Sequence, residues 1–296
     1  MRSTKPSSAP SARRAVPYAL LAPGLLWLVV FFLIPLFYMA QISLKEGTID
    51  TGYQFTWHFQ TYADALSNYD SQLVRSFAYA GLSTVIALAI GYPLAYAIAF
   101  KGGKYRNALL LIVILPFFTT YLVRTLSWQT ILDDEGIVVD FLKAIGILAD
   151  DGRLLATTSA VVAGITYNFL PFMILPLYAA LERIDRRTLE AAYDLYAKRR
   201  DVFLRVVVPL SAPGIVAGVL LTFIPAAGDF INAELLGTPR QAMIGNVIQS
   251  RYLEITDYPT AAALSFILML LILVLVAAYA RVVGTETLTG AEERPA

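Results

Sequence analysis

An all-α integral membrane fold of six transmembrane helices is what this sequence predicts, and three observations predict it. The 296 residues are 57% hydrophobic and only 15% charged, with a mean hydropathy of +0.63, whereas soluble domains carry about 25% charged residues. Six separate apolar runs each approach the roughly 20 residues a helix needs to cross a bilayer. Lys and Arg are distributed unevenly between alternate connections, as the sidedness of membrane insertion demands.

The runs fall at 18–42, 76–100, 107–131, 156–181, 206–227 and 261–283. Each is expected to be helical, because hydrocarbon cannot solvate free backbone N–H and C=O groups. Residues 1–17, rich in Ser, Pro, Ala and Arg, read as a disordered tail. The run after Arg13 and Arg14 is too long for the core of a secretory signal, so it reads as a retained first span. Residues 284–296 read as a second tail. With no fixed-period repeat in between, 18–283 is expected to form one transmembrane domain.

Sidedness follows from the 23 Lys and Arg residues. Sixteen fall in the N-terminal tail, the second and fourth connections and the C-terminal end, six fall in the opposite loops, and Arg124 lies inside the third span. That bias puts both termini and the loop 182–205 in the cytoplasm. The other three loops, near 43–75, 132–155 and 228–260, are long, lie outside and carry Asp133, Asp134, Asp150, Asp151, Glu254 and Asp257.

Composition also excludes. A net charge of +1 gives no basic surface for nucleic acid, and no cysteine and a single histidine, His58, exclude a thiol nucleophile and a thiolate or multi-histidine metal site. No G-x-x-x-x-G-K-[ST] loop is present to cradle phosphates, since Gly102-Gly103-Lys104 lacks the rest of it. A chain without that loop binds no ATP of its own and is not an enzyme of that kind.

The loop 182–205 has the most regular charge pattern. Asp185 suits an N-cap for a helix starting at Arg186. Leu189, Ala192, Tyr193 and Tyr196 then share one face, with Arg186, Arg187, Glu190, Asp194 and Lys198 elsewhere. Pro209 and Pro213 are expected to kink the fifth span near its cytoplasmic end. By pattern alone the short helix suits three places: the lipid surface, the underside of its own chain, or a soluble partner.

Glu190-Ala191-Ala192, followed at the correct spacing by Val206, Val208 and Pro209, resembles the cytoplasmic signature of integral-membrane subunits of ATP-binding cassette (ABC) importers. The signature reads E-A-A, three residues, G, nine residues, I-x-L-P, and it precedes the fifth of six spans here as in that family. One position departs, because Tyr196 stands where the family has glycine. "ALAIGYPLAYAIAF", "LLLIVILPFFTTYLVRTLSW", "YNFLPFMILPLYAALERID", "GDFINAELLG" and "MIGNVIQSRYLE" extend the likeness, most closely to spermidine/putrescine permeases.

The resemblance implies a type I (MetI-like) importer permease fold with a cytoplasmic coupling helix at 182–205, in the inner membrane. It implies two copies of an ATPase that carries the ATP and Mg, a second permease chain, and an extracytoplasmic solute-binding protein. Leu189, Glu190, Ala191, Ala192, Tyr196, Val206, Val208 and Pro209 are the coupling positions. Tyr196 is expected to shift the bend toward Lys198 and to pack its ring on neighbouring helix ends. The rival class, an ion-coupled secondary transporter, leaves this loop unexplained and has no mid-span carboxylates.

Candidate pathway residues are Tyr167, Asn168, Phe223, Asp229 and Phe230. A flexible polycation needs transient carboxylate attraction and aromatic faces without a deep trap, which Asp229 offers beside Phe223 and Phe230. A helix-terminal loop carboxylate explains Asp229 equally well, and interhelical hydrogen bonding explains Asn168. Asp133 and Asp134 read as loop or cap residues. Arg124 is expected to snorkel to the outer interface. Gly214 and Gly218 form a G-x-x-x-G surface for close helix crossing.

Overall fold

The computed structural model describes residues 11–283. Its spans are all helical, and the strand content among the described residues is one hairpin, Lys45–Thr48 against Gly52–Phe55. Four helices are long and apolar enough to cross a membrane: Leu20–Ser43, Asp70–Lys101, Thr158–Glu182 and Tyr258–Arg281. Two further candidates are bent pairs, Gly103–Phe118 with Tyr121–Ile131 and Arg199–Leu210 with Ala212–Ala227. We call these the first to sixth spans in chain order, so the third and fifth are the bent ones.

Three of the boundaries differ by six or seven residues from those read in the sequence. The first helix begins at Ser11, because Ala12, Arg13, Arg14 and Ala15 are good helix formers, so residues 11–17 are helical rather than a tail. Residues 1–10 and 284–296 lie outside the described residues. The second span starts at Asp70 and the fifth at Arg199, since helix propensity runs on into polar residues beyond the apolar core of each span.

The spans differ sharply in burial. In its most apolar stretch the fourth span is 67% buried, against 33% for the second, 22% for the sixth and none of the first. Spans two, four and five pack together as the centre. Thr157 caps the fourth by accepting from the Ala160 amide at 3.2 Å. Small residues set how closely the fifth approaches it. A Cβ at Gly214 would sit 2.5 Å from the Ala180 Cβ and 2.7 Å from the Pro176 carbonyl, and one at Gly218 would meet the Met173 Sδ at 2.8 Å. The pair therefore crosses at backbone contact distance, as the G-x-x-x-G spacing predicts.

Prolines shape the other spans. Single π turns at Val29–Leu33 and Phe203–Val207 lie just ahead of Pro35 and Pro209, and they absorb the carbonyls that proline leaves without a donor. The fifth span bends by 63° at Ser211, between Pro209 and Pro213, where the kink was expected. Pro116 sits in a 3-10 turn that ends at Thr119, and the third span then turns through 94°. The first span stands apart, and only its C-terminal half, Ile34–Ser43, packs on the sixth.

Short helices order the connections after the first, third and fifth spans. Ile244–Leu253 is seated on the second span by the Ile244 amide donating to Ser76 Oγ at 2.8 Å and by Arg75 Nη1 donating to the Ala242 carbonyl at 2.7 Å. Asp134 pairs with Arg153 at 2.6 Å, as its reading as a loop residue suggests.

Candidate functional site

Two places in the fold carry the candidate residues. The first is the loop between the fourth and fifth spans. Asp185 is extended and accepts from the Arg187 amide at 3.0 Å, starting the helix Arg186–Asp194. No residue of that helix is buried. Leu189 leans on the apolar cluster shared by spans two, four and five, while Glu190, Ala191 and Tyr193 are exposed and Ala192 is half-buried. The helix is therefore not a connector packed beneath its own chain.

It ends in a Schellman motif. The Ala197 amide donates to the Ala192 carbonyl at 3.3 Å and the Tyr196 amide to Tyr193 at 2.9 Å, which requires the residue at 196 to be left-handed. Tyr196 is so, with φ of 58°. The bend thus stays where the family has glycine rather than shifting toward Lys198, and the Tyr196 ring is 97% exposed rather than packed. The two backbone bonds hold the turn in place against a side-chain penalty on the order of 1 kcal/mol.

Beyond it, Lys198 is extended and Arg199–Val202 starts the next helix. Val202 and Val207 are buried, and Phe203 meets Tyr92 and Tyr96 edge-on at 5.7 and 5.8 Å. Val206 and Val208 are half-buried and Pro209 is exposed. The Tyr92 and Ser211 hydroxyls lie 2.9 Å apart. These contacts join the start of the fifth span to the second span.

The second place is a polar junction inside the apolar bundle. Asp229 follows the fifth span and is buried. Its Oδ1 accepts from the Ile231 and Asn232 amides at 3.0 and 3.3 Å, its Oδ2 accepts from the Tyr121 hydroxyl at 2.8 Å, and the Asn232 side chain also donates to it. Asn168 Nδ2 donates to Asn232 Oδ1 at 3.2 Å and to Thr125 Oγ1 at 3.1 Å. Third span, fourth span and the short helix Ile231–Leu236 are tied together by these bonds. Asp229 is not an open loop carboxylate, although it does cap that helix.

Of the candidates, Asn168 and Asp229 come together here through Asn232. Phe223 does not join them; it is buried in an apolar cluster, 6.1 Å from Phe77. Phe230 is half-buried and offers its carbonyl to Asn246 at 2.9 Å. Tyr167 turns the other way and meets Trp128 edge-on at 5.4 Å, along an apolar groove of 690 Å³. Tyr121, Thr125 and Asn232 were missed. The signal for them was polar residues at helical spacing, Tyr121 with Thr125 and Asp229 with Asn232.

Arg124 overturns the snorkelling expectation. It is 9% exposed, with its guanidinium over the Phe117 and Tyr121 rings at 5.0 and 5.7 Å. The 94° bend lays the second half of its span against the fourth span and the helix Ile231–Leu236.

A bent-span bundle of this kind, with an exposed helix ahead of the fifth span, defines the permease class of transport subunit. Residues 87–284 match the family model described as binding-protein-dependent transport system inner membrane component, and the chain belongs to that family. It is 40% identical over 256 residues to the spermidine/putrescine transport system permease protein PotB of Haemophilus influenzae, covering 86% of this chain and 90% of that one. PotB of Escherichia coli K12 is 35% identical, with 86% and 93% covered. The inner membrane ABC transporter permease protein YdcU of the same organism is 34% identical over 70% and 69%. Among solved structures, a bacterial ABC transporter for alginate import superposes with a TM-score of 0.74 at 21% identity, covering 92% of this chain and 96% of that one.

The protein is therefore a permease subunit of a binding-protein-dependent ABC importer, a multi-pass protein of the inner membrane, with ATP hydrolysis on a separate chain. Among the described residues no group of acidic, histidine or cysteine side chains could hold a metal ion. Family membership removes the secondary-transporter alternative.

Proposed function

We propose that this permease passes a polyamine, spermidine or putrescine, from an extracytoplasmic binding protein into the cytoplasm. The carrying observation is the 40% identity to a spermidine/putrescine permease over 90% of that relative's length. In support, Asp229 is the buried carboxylate of the central bundle, and polar and aromatic groups surround it.

In this reading both termini are cytoplasmic and the loop 182–205 docks on the ATPase. Glu190 contacts the rim of the receiving groove, Ala191 and Ala192 allow close approach, and Leu189, Val206, Val208 and Pro209 connect the helix to the fifth span. Tyr196 stands at the turn. Two ATPase copies hold ATP and Mg, and a second, homologous permease chain completes the pathway. Asp229 and Asn168 meet the solute, with Tyr167, Phe223 and Phe230 in supporting positions.

Co-purification of the chain with its ATPase, followed by ATPase and uptake assays with binding protein and spermidine or putrescine, tests this. Solute-stimulated hydrolysis and uptake of either polyamine are expected. Stimulation by a different solute class alone would refute the polyamine assignment.

A further inference from the structure

We propose that Arg124 is a tethered competitor for Asp229: at another stage of the cycle its guanidinium pairs with that carboxylate and so clears a cationic solute from it. The competition rests on the polyamine reading above, whereas the pairing itself does not.

Arg124 is an unfinished side chain. Its Nε and Nη1 are fully buried and meet no acceptor among the described residues. The rings of Phe117 and Tyr121 satisfy the faces of the guanidinium, but its in-plane N–H groups need oxygens. Neither of these two nitrogens has accessible surface, so an acceptor reaches them only through a rearrangement of the chain.

Asp229 is the counterpart. Tyr121, Asn232 and two backbone amides hold it, and among the described residues it forms no salt bridge. A buried cation with unmet donors and a buried carboxylate with only neutral donors share one side chain, Tyr121. Its ring lies against the guanidinium and its hydroxyl donates to Asp229. These are the two halves of an ion pair with a tyrosine between them, and a charge-assisted pair is the stronger contact for both.

The fold also supplies a way to exchange them. Thr119 and Thr120 are extended at the 94° bend immediately before Tyr121, so a change of angle there carries Tyr121 and Arg124 together past Asp229. Arg124 lies about one helical turn beyond Tyr121. A turn of the helix withdraws the hydroxyl and presents the guanidinium. Asn168 Oδ1, a buried acceptor without a partner among the described residues, lies one link further along the same network. A guanidinium on Asp229 and a solute ammonium there exclude each other, which keeps the carboxylate from trapping its cargo.

The chain has no native cysteine, so paired cysteines report proximity without background from it. In the assembled importer, Arg124→Cys with Asp229→Cys is expected to cross-link severalfold more in one nucleotide state, resting or vanadate-trapped, than in the other. Glu46→Cys with Gln54→Cys, directly opposed across the antiparallel hairpin, serves as the control for folding and reagent access. Equal or absent 124–229 linkage in every state, with the control pair linked, overturns the proposal.

If the double-cysteine chain does not assemble, single variants decide. Arg124→Gln is expected to slow putrescine uptake about tenfold and to leave more labelled putrescine on the purified complex, with Arg124→Lys within about threefold of wild type. Wild-type uptake in Arg124→Gln, or lysine no better than glutamine, refutes the idea. State-dependent linkage in a complex that transports no polyamine would leave the pairing standing and remove the polyamine reading instead.

Discussion

The exposed loop between the fourth and fifth spans and the buried junction around Asp229 are incomplete in opposite ways. The loop leaves Leu195 and Tyr196 82% and 97% exposed, apolar surface that only another molecule can cover. The junction leaves hydrogen-bonding nitrogens and oxygens in an apolar interior. The first kind of incompleteness calls for a partner, and the second calls for a change of shape. On the function proposed above, the first would receive work from the ATPase and the second would convert it into access.

Removing the junction's anchor should separate the two regions most. Asp229→Ala leaves Tyr121 and Asn232 donors unmet and is expected to cost about 2–4 kcal/mol, seen as loss of assembled complex and of uptake, with the isolated loop helix unaffected. If Asp229→Ala assembles at wild-type yield and thermal stability, the junction does not organise the bundle. Gly214→Val tests the crossing that joins the regions. The contacts at 2.5 and 2.7 Å predict overpacking of about 1–3 kcal/mol and a lower melting temperature of the purified complex.

The loop should respond more gently. Asp185→Ala removes the cap on the Arg187 amide and is expected to cost about 1 kcal/mol of local helix stability. Solute-stimulated ATPase should fall while the bundle's thermal stability holds, and an equal loss of both would erase the distinction between the regions. Tyr196→Gly should give the smallest effect. Relief of the left-handed strain, on the order of 1 kcal/mol, should raise amide protection over 191–197 in hydrogen exchange with little change in uptake. A large gain in coupled transport would instead mark the tyrosine as a defect.

The two regions were also unequally legible. Asp185, Leu189 and Pro209 act over short sequence distances, so spacing alone located the cap, the face and the kink. The same locality placed Gly214 and Gly218 at a close crossing. The junction draws Tyr121, Asn168 and Asp229 from three elements, and no local period links them. Arg124 was misread for a related reason: its depth depends on the 94° bend, and extended backbone at Thr119 and Thr120 leaves no mark in hydropathy. Tyr196 was misread because backbone bonds, which every residue can make, outweighed the preference of the side chain.

The isolated first span has a consequence for how the protein is made. Its C-terminal half, Ile34–Ser43, rests on the sixth span, Tyr258–Val283, so this helix contacts a surface that is synthesised on the order of two hundred residues after it. Until then it waits in the bilayer with its apolar surface turned to lipid, where that surface is already solvated and misassembles less readily than it would in water. Docking of first on last is then the step that closes the chain, and a nascent permease truncated before residue 258 should insert its first span yet never capture it.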